Sequence, residues 1–128
     1  MRIRQILIIV TVMFFIGTAN AFTGITYYGT KITNKDRHNS YGDRLTSVSA
    51  ILRQDRANYH EFHRSDSDDQ ADGYFKSAGK RQLFDQVRVH VSPQLRRKIL
   101  GNEPVLVTVF VFHNKIEVTQ GLPDPNVD

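Results

Sequence analysis

The chain has 128 residues, with 17 basic against 13 acidic, no cysteine and no tryptophan. That length makes one domain. The missing cysteine excludes both a disulfide-stapled scaffold and anchoring through a lipidated cysteine.

The chain opens with Arg2 and Arg4 and no acidic residue, continues through an apolar run from Ile6 to Gly17 broken by Thr11, and ends in Thr18-Ala19-Asn20-Ala21. A basic start, a short apolar stretch and small residues at the minus-three and minus-one positions form a secretory leader cleaved before Phe22. The apolar run is shorter than the roughly 20 residues a spanning helix needs. Retention as an anchor is the alternative to cleavage. Losing Arg2 and Arg4 lowers the net charge from +4 to +2, so little of the strongly basic footprint of a nucleic-acid binder remains. The expected organisation is a signal peptide at 1–21, one domain at 22–119 and a flexible tail at 120–128.

Phe22 to Thr33 mixes Ile25, Tyr27, Tyr28 and Ile32 with threonine and glycine, the composition of a first strand or an extended arm. Asn34 to Gly42 reads as a polar loop. Asp43 suits an N-cap, and Leu45, Val48, Leu52, Tyr59 and Phe62 with Ile51 mark one face of a helix from Arg44 to His63. Asp55 and Arg56 interrupt that face, which predicts a kink or a polar contact. A loop rich in aspartate (Asp66, Asp68, Asp69, Asp72) leads to a second helix with Ala71, Tyr74, Phe75 and Ala78 as its stripe. Val87, Val89 and Val91 alternate with Arg88 and His90 as a strand. Ser92-Pro93 opens a short helix that Gly101 stops. Val105 to Phe112 and Lys115 to Thr119 form an antiparallel hairpin, with His113-Asn114 as a tight turn of residues that tolerate positive φ. The fold expected is α+β: two N-terminal helices, then a small, mostly antiparallel sheet with one short inserted helix.

From Ser92 onward the chain has a short helix, an apolar strand, a turn, Ile116-Glu117-Val118-Thr119-Gln120-Gly121 and then Pro123-Asp124. This stretch resembles the second half of a BON domain, a module of bacterial envelope proteins. Where that family usually has a glycine in the turn, this chain has His113-Asn114, and the first half of the module has no counterpart. The fold reading therefore rests on the residues.

Pairing Phe112 with Lys115 puts Val109, Val111, Ile116 and Val118 on one side of the hairpin and Leu106, Phe110 and Glu117 on the other. The valine side is core. Phe110, Phe112 and Lys115 are candidate partner-binding residues on the mixed side, which a helix could cover at its Leu106 and Phe110 end. His60 and His63, three apart on a helix, are candidate metal ligands, although the zinc-protease signature needs a spacing of four. Asp68, Gln70, Asp72 and Gly73 begin like a calcium loop, but Gly79 stands where a bidentate glutamate is required. Arg96, Arg97 and Lys98 are candidates for contact with an anionic surface.

No serine or cysteine nucleophile motif and no Gly-rich phosphate loop is present, so no cofactor is expected. The expected role is a non-catalytic binding or accessory protein, periplasmic or secreted. Its partner would be a protein or an anionic envelope component, with a homodimer as another arrangement. Nucleic acid is not expected as a partner, nor is a stable membrane span after cleavage. The alternative from another class is a small secreted metal-dependent hydrolase or toxin.

Overall fold

A computed structural model describes residues 21–125. Residues 1–20, which hold nearly all of the expected leader, and residues 126–128 of the expected tail lie outside the described residues. Among the described residues no helix is long and apolar enough to cross a membrane.

The architecture is α+β, built on the hairpin of β3 (Val105–Val111) and β4 (Lys115–Gln120). Its register matches the alternation: Val111 faces Ile116, Val109 faces Val118 and Phe110 faces Glu117. The turn is closed by the Phe112 N–H donating to the Lys115 carbonyl at 3.0 Å. Neither His113 nor Asn114 has a positive φ, so the tight turn does without the left-handed conformation expected of it.

Two further strands complete a mixed sheet in the order β1-β3-β4-β2. The first segment is a strand, β1 (Thr26–Ile32), antiparallel to β3 along its length. The strand β2 (Arg88–His90) runs parallel to β4. The expected order of helices first and sheet afterwards is thus corrected, because the N-terminal segment belongs to the sheet. Parallel pairing needs a crossover, here through α4 (Pro93–Ile99) and β3. Helix α4 begins as its sequence dictates: the Ser92 side chain accepts from the Leu95 N–H and Pro93 occupies the first turn.

The long helix α1 is shorter than expected, Val48–His60, and its N-cap is Ser47, whose Oγ accepts from the Ala50 N–H. Phe62, placed on the helix face by spacing, lies beyond the helix end and is exposed. The predicted second helix around Ala71–Ala78 does not form. Asp72 Oδ2 accepts from the Tyr74 and Phe75 N–H groups at 2.9 and 2.6 Å, and a side chain that captures local amides competes with helix. Two single turns follow instead, α2 (Ala78–Arg81) and α3 (Leu83–Gln86).

The helices pack on one face of the sheet only. Val48, Ile51 and Leu52 of α1, Phe84 of α3 and Leu95 and Ile99 of α4 meet Tyr28, Ile32, Val107, Val109, Val111 and Ile116, all buried. No helix of the described residues lies on the opposite face. Part of it is covered by the segment after β4: the Gly121 N–H donates to the Leu106 carbonyl (2.8 Å) and Thr108 Oγ donates to the Gly121 carbonyl (2.7 Å). Leu122 and Pro123 then cross above Gly29. A Cβ there would stand 2.6 Å from Pro123 Cδ and 2.8 Å from Leu122 Cδ2, so the missing side chain at Gly29 makes the crossing possible.

Candidate functional site

Asp55 and Arg56, which interrupt the apolar spacing of α1, are wholly buried and sit on its inward side. Arg56 is the hub of a charged network between α1, β1 and the acidic loop. Its Nε donates to Asp55 Oδ2 at 2.8 Å, and its Nη1 donates to Asp72 Oδ1 and to the Gln70 carbonyl, both at 2.9 Å. Its guanidinium carbon lies 4.0 Å from the centroid of the Tyr28 ring, a cation–π contact in a desolvated setting.

Thr30 joins Asp55 to Asp69. Its Oγ lies 2.7 Å from Asp55 Oδ1 and 2.9 Å from Asp69 Oδ1, yet a hydroxyl has one hydrogen to give. Asp69 already accepts from the Lys31 and Asp66 N–H groups at 2.8 and 2.6 Å, as a carboxylate does. With Asp55 ionised, the hydroxyl serves one carboxylate at a time; once Asp55 takes a proton, Asp55 donates to Thr30 and Thr30 donates to Asp69. Burial favours that proton, raising the Asp55 carboxyl to about 6 against the pull of Arg56. Asp36 is buried nearby, accepting from the Thr33 N–H and Asn58 Nδ2 at 3.0 Å each. Burial, and the charge of Asp55 when it is ionised, raise it to about 7. Burial also pushes Asp72 upward, but the Phe75 amide, His60 and Arg56 outweigh it and hold this carboxyl below its ordinary value.

The acidic loop has a structural task. The Gln70 N–H donates to the Gly29 carbonyl, while Gln70 Oε1 and Asp69 Oδ1 accept from the Gly29 and Lys31 N–H groups, each at 2.8 Å. These groups satisfy the outer edge of β1, which would otherwise offer an unpaired strand. Asp66 pairs with Lys35 at 2.9 Å and Asp68 with Lys31 at 3.7 Å.

The candidate metal ligands are not brought together. His60 ends α1 with its Nε2 2.8 Å from Asp72 Oδ1, whereas His63 lies past the helix with φ of 52°. The shared helix face on which the pairing depended does not exist. Among the described residues no group of three or more His, Asp or Glu side chains is arranged to hold a metal ion.

The candidate partner-binding residues do come together, on the helix-free face. Lys115 Nζ is 4.9 Å from the Phe112 ring centroid and 2.8 Å from Glu117 Oε1. Phe110 joins them through two residues that the spacing did not single out. Phe22 lies 5.9 Å from Phe110, 5.5 Å from Phe112 and 5.3 Å from Tyr27, centroid to centroid. Tyr27 stacks on Phe110 at 5.9 Å. Among the described residues no helix covers the Phe110 end; Phe22 does, and Tyr27 and Phe22 remain 45 % and 38 % exposed. The Phe22 ring folds back over Gly24, where any Cβ would collide with it and stand 2.6 Å from the Val111 carbonyl. A Phe-x-Gly spacing before a strand was the available signal.

The basic triplet is exposed on α4. Arg97 and Lys98 line a groove of about 900 Å³ with Gln94, Pro104, Val105 and Leu106, at the far end of β3 from the aromatic cluster. Arg96 does not line it. No protein-family model matches the chain, and neither a curated protein nor a solved structure matches it significantly.

Proposed function

We propose that this chain is an exported, non-catalytic binding protein of the periplasm or the cell exterior, which engages a protein partner through the helix-free face of its sheet. Three things support the reading. Residues 1–21 have the order of a secretory leader. The buried Asp55, Arg56, Asp72 and His60 are engaged with one another and with backbone groups, which gives them a role in holding the fold. The observation that carries the proposal is the aromatic surface of Phe22, Tyr27, Phe110 and Phe112, next to Lys115 and with no helix of the described residues above it. Aromatic residues with a charged rim are the composition of interface centres. The partner is a protein, with a second copy of this chain as one form it takes.

Co-purification from the exported fraction tests this with the Phe112→Glu variant. Phe112 is half-buried at the turn and outside the core. The expected outcome is a folded variant, melting within a few degrees of wild type, that no longer retains the partner. A variant that unfolds assigns Phe112 to the core, and one that keeps the partner removes this face from the interaction.

A further inference from the structure

The C-terminal end of α4 carries more positive charge than the helix requires. A helix end leaves carbonyls without partners and favours cations beside them. Here Arg37 donates from Nε to the Ile99 carbonyl at 2.9 Å and from Nη2 to the Lys98 carbonyl at 3.2 Å. Arg44 Nη2 donates to the Leu100 and Gly101 carbonyls at 3.0 and 2.7 Å. Two guanidinium groups thus already meet both needs. Arg97 and Lys98 are additional, and among the described residues neither forms an ion pair. Lys98 Nζ finds only the neutral Gln120 Oε1, at 3.1 Å.

These cations line a groove together with Pro104, Val105 and Leu106, and Glu103 alone among its lining residues is acidic. Its volume of about 900 Å³ falls within the roughly 300–1,000 Å³ of small-molecule sites. We propose that the groove binds a single-chain anionic amphiphile, with the acyl chain along Pro104–Leu106 and the phosphate or carboxylate head at Arg97 and Lys98. An inorganic anion would leave the apolar lining unused. A peptide strand would need backbone partners, and those nearest are taken: the Leu106 carbonyl by the Gly121 N–H and the Gly121 carbonyl by Thr108. A bilayer surface is met by a few cations only marginally. Such a ligand presupposes the binding role proposed above. It uses the far end of β3 from the aromatic cluster, so titration of the purified domain can fail while the interaction of that cluster stands, and the reverse.

The test is titration of the purified, leader-free domain with monododecyl phosphate below its micelle concentration, in parallel with dodecyl maltoside, inorganic phosphate and phosphatidylglycerol vesicles. The comparison variant is Arg97→Glu with Lys98→Glu, its fold checked by circular dichroism. The expected result is one dodecyl phosphate per domain, with affinity falling by roughly tenfold or more when both charges are reversed. Little binding of the maltoside or of inorganic phosphate is expected. The proposal is overturned if dodecyl phosphate does not bind, or if the double variant binds it equally. Equal binding of the maltoside or of inorganic phosphate overturns it too, as does binding to vesicles alone.

Discussion

Arg56→Met is expected to destabilise the domain by about 3–5 kcal/mol, the range for removing one partner of a buried ion pair. The side chain is fully buried and faces two buried carboxyls, Asp55 and Asp72, besides the Gln70 carbonyl. Methionine fills much of the volume but leaves Asp72 without its main cation and the Gln70 carbonyl without a donor. Domains of this size have about 5–15 kcal/mol in total, so the variant should lose a large share of its stability. Denaturant unfolding checks the number. The surface pair of Arg53 with Asp85 supplies the contrast: both side chains are more than a third exposed, and Arg53→Met should cost under about 1 kcal/mol. Similar losses in the two variants would mean that Arg56 is not the hub.

The second large effect is on pH. Asp36 and Asp55 are raised to about 7 and about 6 in the folded state, against about 3.9 in an unfolded chain. Between those values the folded protein holds protons that the unfolded chain has released, so stability falls as pH rises. The contribution is complete below about pH 4 and is lost as pH climbs through 6 and 7. Asp72, held below its ordinary value, acts oppositely and is lost only in stronger acid. The melting temperature should therefore be higher at pH 5 than at pH 8, by on the order of 10 °C for a few kcal/mol. Asp55→Asn should flatten this slope with little loss of stability. Its amide can donate to Thr30 while its oxygen accepts from Arg56, as the protonated carboxyl does. A melting temperature that rises from pH 5 to pH 8 would contradict the raised carboxyls of Asp36 and Asp55.

The parts of the fold written in local pattern were legible from sequence. The alternation of Val105–Val111 with Ile116 and Val118 led directly to the hairpin register, and Ser92-Pro93 to the start of α4. What failed depends on distant partners. Nothing local to Arg88–His90 reveals that its neighbour is β4 and parallel. Asp55 and Arg56 announced a polar contact by interrupting the apolar face of α1, but its partners Thr30, Gln70 and Asp72 are distant in sequence, and Asp36 and Arg37 read only as part of a polar loop. Ala71, Tyr74, Phe75 and Ala78 have helical spacing, but Asp72 captures the amides that a helix would use. The candidate site divided in the same way. Phe110, Phe112 and Lys115 were visible on one strand pair, whereas Phe22 and Tyr27 reach them only because β1 lies beside β3 and Gly24 leaves room for a ring.

The role of the helix-free face is tested most directly by photo-crosslinking in cells from a reactive residue at Tyr27, compared with one at Arg53 on α1. The account predicts a discrete crosslinked protein from position 27, recovered in the exported fraction on a chain beginning at Phe22, and none from position 53. No crosslink from 27, or the same products from both positions, would contradict it.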